Sequence, residues 1–116
     1  MSYPVICGIT PKDYQDQLVK VSKTFSVYDT PNRLPAYCLG LSGEVGEVME
    51  ILKRFFREGV EPNKQELTKE LGDVIAYATL LAHHYNIDLE TVMLTNIKKL
   101  EERQKNGSLE GRGNDR

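Results

Sequence analysis

A chain of 116 residues has room for one domain with a single core. Its 40% hydrophobic and 28% charged residues describe a globular protein rather than a disordered one. The formal net charge of −2 argues against broad electrostatic binding to nucleic acid or an anionic membrane, and no apolar stretch approaches the length of a membrane span.

Residues 1–9 read as an extended lead-in, without the charged segment and apolar run of a secretion signal. Cys7 and Cys38 form neither a metal-ligand spacing nor a disulfide framework, so a reducing cytoplasm is the expected compartment. Thr10-Pro11-Lys12-Asp13 is a helix start, with Thr10 at the N-cap, Pro11 in the first turn and Asp13 favouring it. Tyr14, Leu18, Val21, Phe25 and Tyr28 then follow at spacings of three and four, which predicts one continuous apolar stripe on that helix. Proline and Asx chemistry predicts a loop from Asp29 to Pro35.

A second helix is expected from about Ala36 to Arg57, stopping before Gly59 and Pro62. Asn63 can cap a third that reaches about Tyr85. After the turn Asn86-Ile87-Asp88, Asp88 can cap a fourth from Leu89 to Lys105. Residues 106–116 form a glycine-rich tail, and no run alternates as a strand would. The expectation is a single all-α domain, a four-helix bundle spanning residues 1–116.

Within the two central helices an octet recurs, Leu-x-x-Glu-x-Gly-acid-Val. Its first copy carries Leu41, Glu44, Gly46, Glu47 and Val48; its second carries Leu67, Glu70, Gly72, Asp73 and Val74. Each copy sets two carboxylates three residues apart, on one helix face. That face borders the apolar arc of Leu41, Val45, Val48, Met49, Leu52, Phe55 and Phe56 rather than opposing it. Four acids converging at a core margin repel one another unless cations lie among them. Salt bridges at the bundle edge are the alternative, but a matched repeat favours a metal. Oxygen ligands select hard cations, so Mg²⁺ is expected, with Mn²⁺ as a substitute. A di-iron bundle would need Glu-x-x-His on two helices, whereas the fourth position here is Glu47 or Asp73. His83 and His84 lie off the motif and read as bundle-edge residues. Gly46 and Gly72 point away from the apolar arc, leaving room for a neighbouring subunit or a ligand, or being merely tolerated.

The fourth helix directs Leu89, Met93, Ile97 and Leu100 toward the core, with Asn96, Lys99 and Arg103 leaning to the same side. An amide, an ammonium and a guanidinium suit a polyphosphate beside a metal cluster; salt bridges to the acids are the alternative. Together these groups suit hydrolysis of a phosphoanhydride. No P-loop appears, and Gly40-x-x-Gly43-x-x-Gly46 follows no strand, so it is not a nucleotide fingerprint.

Gly-Leu-Ser-Gly-Glu-Val-Gly-Glu-Val (40–48), Lys-Glu-Leu-Gly-Asp-Val (69–74) and Asn-Ile-Lys-Lys-Leu-Glu-Glu-Arg (96–103) resemble the MazG-like nucleoside triphosphate pyrophosphohydrolases, an all-α superfamily. The resemblance implies cleavage of an NTP or dNTP to the monophosphate and pyrophosphate with two or more Mg²⁺. It implies Glu44, Glu47, Glu70 and Asp73 as metal ligands, and Asn96, Lys99 and Arg103 as contacts to substrate phosphate or sugar. It further implies a homodimer or homotetramer whose site is completed across subunits. Several relatives carry a general-base Glu where this chain has Gly43, which leaves water activation to the metals and to Glu47, with Glu44 beside it. The tail resembles a Gly-x-Gly-Asp-x-Arg ending, with Asn114 in place of the expected Asp and then Asp115 and Arg116. A dUTPase-type or phosphoribosyl-ATP pyrophosphohydrolase role is an alternative within the superfamily. A non-catalytic helical interaction module is the alternative outside it. Base selection is expected from the first helix and loop, at residues such as Gln15, Phe25 and Arg33.

Overall fold

The computed structural model describes residues 8–25 and 30–107. Most of the expected lead-in, with Cys7, lies outside the described residues, as do Tyr28, Asp29, and the tail with Asn114, Asp115 and Arg116. Among the described residues four helices account for the fold: α1 (Pro11–Ser22), α2 (Arg33–Glu58), α3 (Lys64–His84) and α4 (Leu89–Lys105). No strand occurs among the described residues, so the architecture is all-α as the sequence predicts. No described helix is long and apolar enough to cross a membrane.

Local chemistry sets most boundaries. At α1, Thr10 Oγ1 accepts from the Asp13 N–H at 3.0 Å and an Asp13 carboxylate oxygen accepts from the Thr10 N–H at 3.4 Å, a reciprocal cap. The helix stops at Ser22, short of the continuous stripe expected through Phe25. The Ser22 hydroxyl donates to the Val19 carbonyl at 2.8 Å and the Thr24 hydroxyl to the Val21 carbonyl at 2.7 Å, beside backbone bonds to the same carbonyls from the Lys23 and Thr24 N–H groups. Val21 and Phe25 are left about half exposed. Helix α2 begins earlier than expected, at Arg33, because Pro35 sits in the first turn where its missing N–H breaks no hydrogen bond. It ends at Gly59, whose left-handed backbone (φ 69°) lets its N–H reach the Phe55 carbonyl at 2.8 Å. The Asn63 side chain caps α3 by accepting from the Gln65 and Glu66 N–H groups.

The start of α4 is held differently. Asp88 occupies the N-cap position, but its side chain makes no capping hydrogen bond. Instead Gln15, 7% exposed on α1, accepts from the Leu89 N–H at 2.9 Å and donates to the Ile87 carbonyl at 3.1 Å. A residue read as a base selector therefore fastens the first helix to the last.

Helices α2 and α3 form a hairpin that makes the principal contact of the fold; α1 and α4 both lie against α3 and touch each other. Gly40 on α2 admits the ring of Tyr77 on α3, and a Cβ at Gly40 would overlap that ring. Among the described apolar side chains only Tyr37, Val48 and Leu80 are buried. Fully buried Thr79 donates its hydroxyl to the Ile75 carbonyl at 2.7 Å. The arc expected to form the core of α2 is covered on one side only: Val48 is buried, whereas Val45, Met49 and Phe56 are exposed. Helix α4 buries no residue, and Met93, Ile97 and Leu100, expected to face the core, stay open to solvent.

Candidate metal centre

Glu44 sits one turn before buried Val48, which places it on the side of α2 facing α3. Glu70 and Asp73 rise from the opposing wall of the hairpin. Each of the three offers a carboxylate oxygen, and these oxygens lie within 4.8 Å of one another. Glu44 and Glu70 are half-buried and Asp73 is exposed. Oε2 of Glu44 is buried with no hydrogen-bond partner. Like charges that close cannot all ionise unaided. The Glu44 carboxyl is pushed up to about 7, first by a hydrogen bond with Glu70, then by burial, then by the charges of Asp73, Glu70 and Glu47. Every one of these influences favours a proton, or another cation, at this point. Hard oxygen donors and an unpartnered buried acceptor fit a divalent cation of the Mg²⁺ or Mn²⁺ type. The ion pairs Lys12–Asp16, Lys53–Glu50 and Arg57–Glu58 involve none of the four motif acids.

The fourth acid of the expected quartet stands apart from this cluster. Glu47 lines a groove of about 420 Å³ with Glu50, Arg54, Glu61, Asn63 and Glu66, though its charge still reaches Glu44. Tyr14 joins the neighbourhood from α1: burial first, and then the charge of Asp73, raises its phenol. Periodicity marked Tyr14 only as an apolar position, and no local signal pairs it with an acid on another helix.

Asn96 and Lys99 line a depression of about 340 Å³ with Thr91 and Thr95, and none of the four carboxylates borders it. Arg103 is half-buried one turn beyond Lys99. The His84 ring packs edge-on against that of Tyr85, with centroids 5.0 Å apart, away from the acidic motif. A Cβ at Gly46 or Gly72 would meet nothing within 4 Å; the close approach is at Gly40 instead. Arg33 is exposed at the start of α2.

A second feature adjoins the triad. An apolar cleft of about 300 Å³ opens between α1 and α3, with Asp73 on its lining, Leu18 and Val21 on one wall, and Tyr77 and Leu80 on the other. Phe25 stands in it, 54% exposed.

Both motif-bearing helices and the α4 segment lie within residues 33–108, which match the MazG nucleotide pyrophosphohydrolase domain. The chain is also similar to the Gene 37 protein of Mycobacterium phage L5, with 36% identity over 92 residues that cover 76% of this chain and 81% of the phage protein. No solved structure matches. With its acidic hairpin and its helix order, the chain belongs to the MazG nucleotide pyrophosphohydrolase family.

Proposed function

We propose that the protein is an Mg²⁺-dependent hydrolase that splits an NTP or dNTP between its α- and β-phosphates, releasing the monophosphate and pyrophosphate. The observation that carries this reading is the gathering of Glu44, Glu70 and Asp73 oxygens across one helical hairpin, with a buried acceptor left unpartnered. When bound there, divalent cations would polarise phosphoryl oxygens and ease deprotonation of water. Glu44, Glu70 and Asp73 would hold them, with Glu47 either completing the set from the next turn of α2 or accepting a proton from water. Asn96, Lys99 and Arg103 receive the phosphates or sugar. Base selection would then fall to groups on α1 and α3.

The same reading requires a homodimer or homotetramer. Exposed Met49 and Phe56 on α2, Leu71 and Ile75 on α3, and Met93 and Ile97 on α4 make a single copy too apolar outside and too thinly cored inside. A second copy would cover these faces. Such an enzyme would serve control or house-cleaning of the nucleotide pool.

The test is incubation with each NTP and dNTP in Mg²⁺, followed by identification of products. Monophosphate with pyrophosphate supports the reading; diphosphate with orthophosphate contradicts it. Intact nucleotides despite Mg²⁺ binding would favour a non-catalytic helical module.

A further inference from the structure

We propose that Gly40 is a positioning residue for the metal centre: by receiving the Tyr77 ring where a side chain would stand, it sets the separation of α2 and α3 at which Glu44, Glu70 and Asp73 can share a cation. The inference rests on the metal-binding part of the reading above. Gly40 precedes Glu44 by one turn of α2, and Tyr77 follows Asp73 by one turn of α3. Because the two helices form a hairpin, the ring contact and the acids occupy successive layers, about 6 Å apart along the helix axes.

Glycine is a poor helix former beside alanine, and Gly40 is not among the residues with left-handed backbone. What the position requires is the absence of a Cβ. Such an atom would stand 2.7 Å from Cδ1 of Tyr77 and nearer still to Cε1 and Cζ. At Gly43, Gly46 and Gly72, the other glycines within these two helices, it would meet nothing within 4 Å. The ring cannot step aside without strain. Cζ lies on the axis of the bond joining the ring to Cβ, so spinning the ring leaves it in place. Swinging the whole ring takes the side chain out of its staggered well. Carbon atoms rest at about 3.5 Å or more, so an alanine should part the helices by about 1 Å at this layer.

The acids leave little slack for that movement. Mg²⁺ holds its oxygens at about 2.0–2.1 Å in near-ideal octahedral geometry, so two oxygens on one ion stand at most about 4.2 Å apart. The oxygens of the triad lie within 4.8 Å of one another. Ca²⁺ takes longer bonds, about 2.3–2.6 Å, in a more adaptable shell. A hairpin opened at Gly40 should therefore lose Mg²⁺ before it loses Ca²⁺.

The experiment measures Mg²⁺ and Ca²⁺ binding by calorimetry for full-length wild type, Gly40→Ala, Gly46→Ala, Tyr77→Ala and the double variant Gly40→Ala/Tyr77→Ala, with crystal structures of metal-free wild type and Gly40→Ala. Gly40→Ala should weaken Mg²⁺ about tenfold or more and Ca²⁺ less than about threefold, and should widen the hairpin at Glu44 and Asp73 by about 1 Å. Gly46→Ala, which enters open space, should bind both ions like wild type and so separates the contact from helix propensity. Once the ring is removed, alanine at position 40 should be neutral. The double variant should match Tyr77→Ala within about threefold, a comparison that decides the matter if Gly40→Ala does not fold. Unchanged Mg²⁺ affinity in Gly40→Ala, equal loss of both ions, or a double variant about tenfold weaker than Tyr77→Ala overturns the proposal. Wild type that binds neither ion refutes the metal reading instead. In that case a widened hairpin in Gly40→Ala keeps the spacing role of Gly40, and an unwidened one overturns it.

Discussion

Replacing Glu44 by glutamine tests the metal centre through its protons. In the metal-free protein this carboxyl titrates near 7 rather than 4.5, chiefly through its hydrogen bond with Glu70. That is about a 300-fold gain in proton affinity. At pH 6 about nine-tenths of molecules carry the proton, and at pH 8 about one-tenth. Binding a divalent cation requires the ionised form, so it should expel about 0.9 proton at pH 6 and about 0.1 at pH 8. Affinity for Mg²⁺ should weaken by about tenfold for each pH unit below 7. Titration calorimetry in buffers of different ionisation enthalpy counts these protons directly. Glu44→Gln should release none and bind Mg²⁺ at least about tenfold more weakly.

Stability supplies the second half of the test. A carboxyl whose folded value lies above its unfolded one stabilises the fold fully below pH 4.5, and that contribution is lost as pH rises through 7. Metal-free Glu44→Gln should therefore melt like wild type at pH 4 and higher than wild type at pH 8, the gap opening between those limits. Equal proton release by both proteins, or a melting difference independent of pH, would refute the reasoning.

Glu47→Gln should lower kcat by about 100-fold or more while leaving calorimetric Mg²⁺ binding at the triad within about threefold, since Glu47 stands outside the close cluster. Gln15→Leu strands the Leu89 N–H and the Ile87 carbonyl; a cost of about 2 kcal/mol should appear as a fall in Tm of about 10 °C by circular dichroism. Phe56, 78% exposed, should become harmless to solubility only when covered by another copy. Wild type should sediment as a dimer or tetramer and Phe56→Asp as a smaller species; a wild-type monomer at micromolar concentration would contradict the oligomer. Treatment with EDTA should abolish nucleotide cleavage, and added Mg²⁺ or Mn²⁺ should restore it.

Features settled within one turn of chain were legible from residues alone. Thr10 and Asn63 cap their helices because the groups they satisfy are two or three positions away. Glu44, Glu70 and Asp73 meet because a helix fixes the face of each and the short connection fixes the hairpin. Other features depend on partners far along the chain. Gln15 bonds to groups 72 and 74 residues away, so no window of sequence distinguishes it from a pocket residue. In sequence Gly40 is one glycine of several, because Tyr77, whose ring rests against it, lies on another helix. The stripe through Phe25 is cut short because periodicity registers apolar spacing but not where a helix stops, here at Ser22. Likewise the width of the α2 arc records how much surface needs cover, without saying whether this chain or a second copy supplies it. Glu47 marks a finer limit: sharing a helix edge with Glu44 did not bring its oxygens into the same cluster.

The amide of Gln15 has a mechanical consequence. It joins α1, which walls the cleft and carries Tyr14 beside Asp73, to the origin of α4, which bears Asn96, Lys99 and Arg103. Two segments from opposite ends of the chain are thereby pinned at one joint, so tilting either drags the other. Variants that tilt α1 should accordingly displace the start of α4 as well, and substitutions on α1 should arise together with compensating changes near residue 89.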